Sequence, residues 1–115
     1  MASPATPFDQ RDHLFRNNVT VRLDALLNNS ATTCVVQNGQ GASIPAIGAG
    51  EIFVMTLDNI VGGVREVVYV TAVSGDTLTI ERAKEGTTAE TWQANSIMQA
   101  RITAGVLEYL QWLLS

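Results

Sequence analysis

One cysteine, Cys34, and one histidine, His13, stand in a chain of 115 residues. A lone cysteine excludes an internal disulfide and cannot make a zinc site. Around the lone histidine no Ser-His-Asp or Cys-His arrangement is evident. Charge is also sparse, at 16% of residues, against about a quarter in an ordinary globular chain. Seven Lys and Arg face eleven Asp and Glu, a formal net charge of −4 and a pI near 4.7. The bases Arg11, Arg16, Arg22, Arg65, Arg82, Lys84 and Arg101 lie far apart, most of them near an acid. An acidic chain with scattered bases makes no electrostatic footprint for nucleic acid. No basic amphipathic helix for a membrane surface is present, and the apolar runs are too short to span a bilayer. The opening Met1 to Pro7 lacks the basic start and apolar core of a signal peptide, and the lone cysteine fits assembly in a cytosol.

Phosphate and metal chemistry are missing as well. The stretch Asn38-Gly39-Gln40-Gly41-Ala42-Ser43 has glycines but neither the lysine nor the following helix of a phosphate loop. Asp58 and Asp76 sit in glycine-containing loops with one carboxylate each, far short of a calcium shell. The acids Glu51, Asp58, Glu66, Asp76, Glu81, Glu85, Glu90 and Glu108 share no evident site and read as solvated surface charge. The expectation is therefore no enzyme, no catalytic residue, no metal and no cofactor.

What remains is apolar and β-branched: 46% of the chain is hydrophobic. With so little charge on its surface, the domain is expected to be covered in part by other subunits. Residues 1–17 read as an extended arm, because Pro4 and Pro7 bar early regular structure and Phe8 and Phe15 stand as isolated apolar anchors. Residues 18–103 read as one β module. Strands are expected over 18–27, 32–37, 51–57, 65–73, 77–82 and 97–103. The 51–57 run is apolar on both faces, so one face should meet a core and the other a second layer. Ser74-Gly75-Asp76 closes the clearest hairpin. In it Val68, Val70 and Ala72 share one face, and Val67, Tyr69 and Val73 share the other. Trp92 is expected to plug the core, with sugar stacking by Trp92 and Tyr69 as the other use of those rings. Residues 104–115 read as a helix capped by Thr103, with Val106, Leu107, Leu110, Leu113 and Leu114 at helical spacing and Tyr109 and Trp112 off that stripe. The fold expected is mainly β: a small antiparallel sandwich or barrel-like module with an N-terminal arm and a short C-terminal α-helix.

A helix of this length does not hold alone in water. It packs either on its own sheet or on other copies about a symmetry axis. Phe8, Phe15, Val106, Leu107, Tyr109, Leu110, Trp112, Leu113 and Leu114 are the residues expected to serve partner binding or self-association.

The hairpin Arg65-Glu66-Val67-Val68-Tyr69-Val70-Thr71-Ala72-Val73-Ser74-Gly75-Asp76-Thr77-Leu78-Thr79-Ile80 resembles a module of tailed-bacteriophage structural proteins. The likeness continues through Glu85-Gly86-Thr87-Thr88-Ala89, Trp92, Ile97, Arg101 and Thr103-Ala104, and covers roughly residues 18 to 105. Ala83-Lys84 departs from the pair usual in that family. The resemblance implies a virion structural protein assembled in the cytoplasm of a bacterial host. Such modules often open a tail fibre. Here one helix follows the module, so an accessory part is expected: a self-associating, trimeric capsid cement or decoration protein docked on the major capsid protein. A tail adaptor or fibre anchor is the alternative, and a carbohydrate-binding host-recognition module the lesser one.

Overall fold

Residues 64–84 alternate strongly, and they form two long neighbouring strands. The computed structural model describes residues 11–16, 19–59, 63–101 and 103–114. Its strands are β1 (Asp12–Leu14), β2 (Thr20–Arg22), β3 (Thr33–Val35), β4 (Glu51–Asn59), β5 (Val64–Ser74), β6 (Thr77–Lys84) and β7 (Ile97–Gln99), followed by the helix α1 (Ala104–Leu114). The fold is mainly β, with one antiparallel sheet that curls on itself. Strand order is β2-β7-β4-β5-β6-β3, and β1 lies parallel against the start of β4. The two end strands meet at a Leu23–Val36 bridge. Asp24 N–H donates to Val35 O at 2.8 Å and Gln37 N–H to Arg22 O at 2.9 Å across that seam. The curl is therefore barrel-like, and the meeting of its ends leaves little free strand edge to aggregate.

Side-chain parity sorts the apolar residues into two clusters. Val21, Leu23, Phe53, Met55, Leu57, Val68, Val70, Leu78, Ile80, Trp92 and Met98 fill the inside of the curl. Ile52, Val54, Val67 and Tyr69 point outward, where Val106 and Leu110 of α1 cover them. The doubly apolar β4 thus meets the core on one face and the chain's own helix on the other. Each fully buried side chain of this size contributes about 1.5–3 kcal/mol over its exposed state. Val73 departs from the simple alternation and packs against the inner cluster. The register of β5 on β6 shifts between Val70 and Ala72, and an irregularity of one residue reverses which face the following side chains take.

β1 falls within the segment read as an arm. Asp12, His13 and Leu14 pair with Glu51, Ile52 and Phe53. Arg11 adds a two-pronged contact to Glu81, with Nη1 2.8 Å from Oε2 and Nη2 2.7 Å from Oε1. Hydrogen bonds from Arg11, set against some desolvation, hold the Glu81 carboxyl down to about 2 from its ordinary 4.5. A carboxyl lowered by folding adds stability above its unfolded value, and that share fades as pH falls through the folded one. Glu81→Gln is therefore expected to flatten the acid side of the stability curve between about pH 4.5 and 2. The amplitude at neutral pH is small, a few tenths of a kcal/mol, because water screens a pair so exposed. Urea melts across that pH range for both proteins measure it.

The glycine loop turns out to hold an anion, and that anion belongs to the chain. A 3-10 turn, Gln40–Ser43, lies against the β5–β6 turn. Gly39 N–H and Gly41 N–H each donate at 3.0 Å to the Asp76 carboxylate. Successive backbone N–H groups in such a turn form a concavity suited to an anion. Gly39 takes φ 83°, which glycine adopts without cost. A Cβ on Gly41 would collide with the Gly75 carbonyl and come within 3.0 Å of Asp76 Cα. Those are backbone atoms that no rotamer change can move aside. Gly41→Ala is expected to cost about 2–3 kcal/mol, read by thermal denaturation. Gly50→Ala, where nothing stands within 4 Å of the added carbon, should cost about 1 kcal/mol from its φ of 77° alone.

Candidate functional site

The C-terminal helix begins at two converging caps. Thr103 Oγ1 accepts from Val106 N–H at 3.2 Å, and Thr103 O accepts from Leu107 N–H at 3.0 Å. That is the N-cap geometry in which a hydroxyl satisfies an orphan amide of the first turn. Glu85 reaches across from the end of β6 to supply the second cap. Its Oε1 accepts from Gly105 N–H at 2.9 Å and its Oε2 from Thr103 Oγ1 at 2.8 Å. A carboxylate there also complements the positive end of the helix dipole. The approach is close enough that a Cβ on Gly105 would sit 2.5 Å from Glu85 Oε2. Ala83, Glu85 and Gly86 all adopt positive φ, at 53°, 55° and 81°. This local twist brings the Glu85 carboxylate to the helix amides.

From that start, one side of α1 descends onto the outer face of the sheet. Val106 and Tyr109 are buried, at 2% and 4% exposure. The Tyr109 ring stacks on His13, with centroids 3.9 Å apart and planes 16° from parallel. His13 in turn meets Tyr69 edge-on at 6.2 Å. His13 Nδ1 is 2.6 Å from Arg11 O, so it donates to that carbonyl. Nε2 is buried without a partner among the described residues. The histidine thus lies under a tyrosine ring, in the layer that fastens the helix to β1 and β5.

The other side of α1 faces away from the sheet. Leu107 is 50% exposed, Trp112 38%, Leu113 54% and Leu114 88%. The remaining large exposed apolar residues, Phe15, Leu26, Val35 and Val64, are scattered over separate segments. Leu110 is half-buried and leans on the outer cluster. Of the residues expected to serve association, then, Val106 and Tyr109 are committed to this chain's own sheet. Leu107 and Leu114 share an outward stripe with half-buried Leu110, while Leu113 and Trp112 stand exposed about 120° and 140° around the helix from Leu107, on opposite sides; Phe15 stands exposed near β1, and Phe8 lies outside the described residues. Tyr109 was off the helical stripe in the sequence, yet it is the ring that docks the helix.

A buried charge cluster was not foreseen. Glu66, expected as a solvated carboxylate, has no exposed surface. It accepts from Arg82 Nε at 2.6 Å and Nη2 at 2.9 Å, from Ala83 N–H at 3.1 Å, Glu90 N–H at 3.0 Å and Trp92 Nε1 at 2.9 Å. Arg82 spends its other protons on the carbonyls of Asn28, Ala31 and Glu90. Burial raises the Glu66 carboxyl, but the hydrogen bonds from Arg82, Glu90, Trp92 and Ala83 outweigh it and hold it below its ordinary value. Strand parity carries the signal that was missed. Glu66 is in phase with Val68 and Val70, and Arg82 with Leu78 and Ile80, so both charges point inward from adjacent strands.

Other chemistry-bearing positions are spoken for. Trp92 and Tyr69 are buried at 4% and 3% exposure and offer no open face for a sugar. Cys34 is buried, which pushes its thiol up to about 11 and leaves it inert at neutral pH. An open groove of about 500 Å³ runs between the 90–97 loop and the ends of β2, β4 and β5. Of the two acids that line it, Asp58 and Glu90, Asp58 is already paired with Arg101 at 2.8 Å and Arg65 at 3.8 Å. No group of three metal-binding side chains occurs among the described residues. Among the same residues, no helix is long and apolar enough to cross a membrane. The chain matches no family model, and no curated protein is similar to it.

Proposed function

We propose that this protein is a non-enzymatic structural component of a tailed-bacteriophage particle that works by contact. In this reading it self-associates, as a trimer, and docks on the capsid as a cement or decoration protein. The observation that carries the reading is the exposed apolar surface of α1, which gathers Leu107, Trp112, Leu113 and Leu114 on one short element. Apolar patches of this kind mark interaction sites. The rigid barrel-like base holds that face in a fixed orientation, and the likeness of the 65–104 segment to virion modules supplies the setting. Assembled capsids carry many copies in symmetric arrays, so modest contacts per subunit add up.

The tail reading, an adaptor or fibre anchor, uses the same face. It is favoured by the hairpin's likeness to modules that open tail fibres. Electron microscopy of intact particles separates the two by the position of the density. Sedimentation of the purified chain at micromolar concentration tests what they share: an oligomer is expected, and a stable monomer counts against both.

A further inference from the structure

We propose that Asn38 is the chain's site of spontaneous deamidation and that the Asp76 carboxylate guards it in the folded protein. Asn38-Gly39 is the one Asn-Gly pair in the sequence. No other pair hinders the reaction less, because Gly39 carries no side chain beside its amide nitrogen. That nitrogen gives its proton to solvent and bonds to the side-chain carbonyl carbon of Asn38. The bond from that carbon to Nδ2 breaks, ammonia leaves, and a five-membered succinimide remains. Water then opens the ring to aspartate or, through the backbone, to isoaspartate. Water is the only co-reactant, and no electron is gained or lost. Asn38 and Gly39 are both exposed, so solvent reaches the reacting atoms. Judged by its residues and exposure alone, the loop is a chemical weak point.

The fold opposes that chemistry at the attacking atom. Gly39 N–H donates to Asp76 Oδ2 at 3.0 Å. To attack, the nitrogen must become an anion beside a full negative charge, and a like charge opposes ionisation. Even with the screening of bulk water, a unit charge 3.0 Å away lowers the ionised fraction about tenfold. Attack also requires the 38–39 peptide to swing its nitrogen onto the Asn38 side chain, and hydrogen bonds hold that peptide from both sides. Gln37 N–H donates to Arg22 O at 2.9 Å, Gln40 N–H to Gln37 O at 2.9 Å, and Gly41 N–H to Asp76 Oδ1 at 3.0 Å. The two Asn-Ser pairs make the contrast. Ser30 N–H donates to Asn28 Oδ1 and Ser96 N–H to Gln93 O, neutral acceptors that oppose ionisation less. The carboxylate thus stands at the pair whose neighbour leaves the nitrogen barest. Damage there would not be silent. Isoaspartate lengthens the backbone, which takes Gly39 N–H and Gly41 N–H out of register on Asp76 and loosens the contact of the 3-10 turn with the β5–β6 turn.

The full chain, incubated for weeks at mildly alkaline pH, tests the guard by peptide mass mapping at residue 38 and by isoaspartate content. Asn38 is expected to convert at least about tenfold more slowly in the folded chain than in the same chain unfolded in urea. Asp76→Asn keeps the shape and removes the charge. It should speed conversion at residue 38 about tenfold while circular dichroism shows the fold intact. Asp76→Glu keeps the charge and should stay close to the parent. Gly50→Ala strains a different loop and should convert at the parent's rate, which separates the guard from general softening. Asn38→Gln, whose ring closes far more slowly, should remove the signal. If Asp76→Asn does not fold, Asp76→Ser, smaller and also neutral, makes the same comparison. Equal rates in the folded and unfolded parent overturn the proposal. So does a folded neutral Asp76 variant no faster than the parent, or a Gly50→Ala protein as fast as that variant.

Discussion

Glu66→Gln is expected to cost about 3–5 kcal/mol of folding stability, the range found when one partner of a buried ion pair is removed. For a domain of this size that lowers the melting temperature by roughly 10–20 °C. The amide fits the space but brings two new protons into a site where every neighbour is already a donor. Arg82, with its side chain 8% exposed, would keep its charge and lose its counter-ion. Replacing both partners distinguishes a simple ion pair from a hub. Exchange of an isolated buried pair for apolar residues is often neutral. Here Glu66 also satisfies Trp92 Nε1, Ala83 N–H and Glu90 N–H, while Arg82 satisfies three carbonyls of the 28–31 and 90 segments. The double variant Glu66→Met with Arg82→Met strands all of these, and each orphan costs about 1–3 kcal/mol. It is therefore expected to remain at least as unstable as Glu66→Gln, as read by chemical denaturation. A double variant as stable as the parent would reduce the cluster to an ordinary ion pair.

The longest strands were legible from sequence, β4 as a run apolar on both faces and β5 and β6 by their alternation, because each meets a core. That is why β4, β5, β6 and the Ser74-Gly75-Asp76 turn lie where the pattern puts them, and why Trp92 plugs the interior. β1 left no such trace. Three residues are too few for a period to show, and its pairing partner, the start of β4, lies some forty positions away. Charged residues misled for a different reason. Glu66 and Arg82 look like surface residues by type and like core residues by position, and position prevailed because each is the other's solvent. The glycine cradle gave no sign in the sequence of what it holds. Its actual ligand, Asp76, is set by a tertiary approach that local sequence does not encode. For α1, spacing alone could place a leucine stripe but not decide which flank meets the sheet. That choice follows from where Glu85 fixes the helix start and from the His13 ring waiting beneath Tyr109.

Tyr109→Ala should separate the helix from the sheet. The ring is 4% exposed and stacked on His13 at 3.9 Å, and loss of an aromatic from such a site costs about 3–5 kcal/mol. The effect should be local. The inner cluster of Phe53, Met55, Val68, Leu78 and Met98 does not involve α1, so the barrel has its own core to stand on. Cut loose, a helix of eleven residues is too short to persist in water. Hydrogen exchange should accordingly accelerate across residues 104–114 and at the newly uncovered Ile52 and Val54, while amides of the β5–β6 hairpin stay protected. Tyr109→Phe keeps the stacked ring and should keep most of the protection. A Tyr109→Ala protein that also loses its oligomeric state would tie assembly to a docked helix, because the outward leucines align only when the sheet holds their backbone in place. Uniform loss of protection through the hairpin would instead make helix and barrel a single cooperative unit.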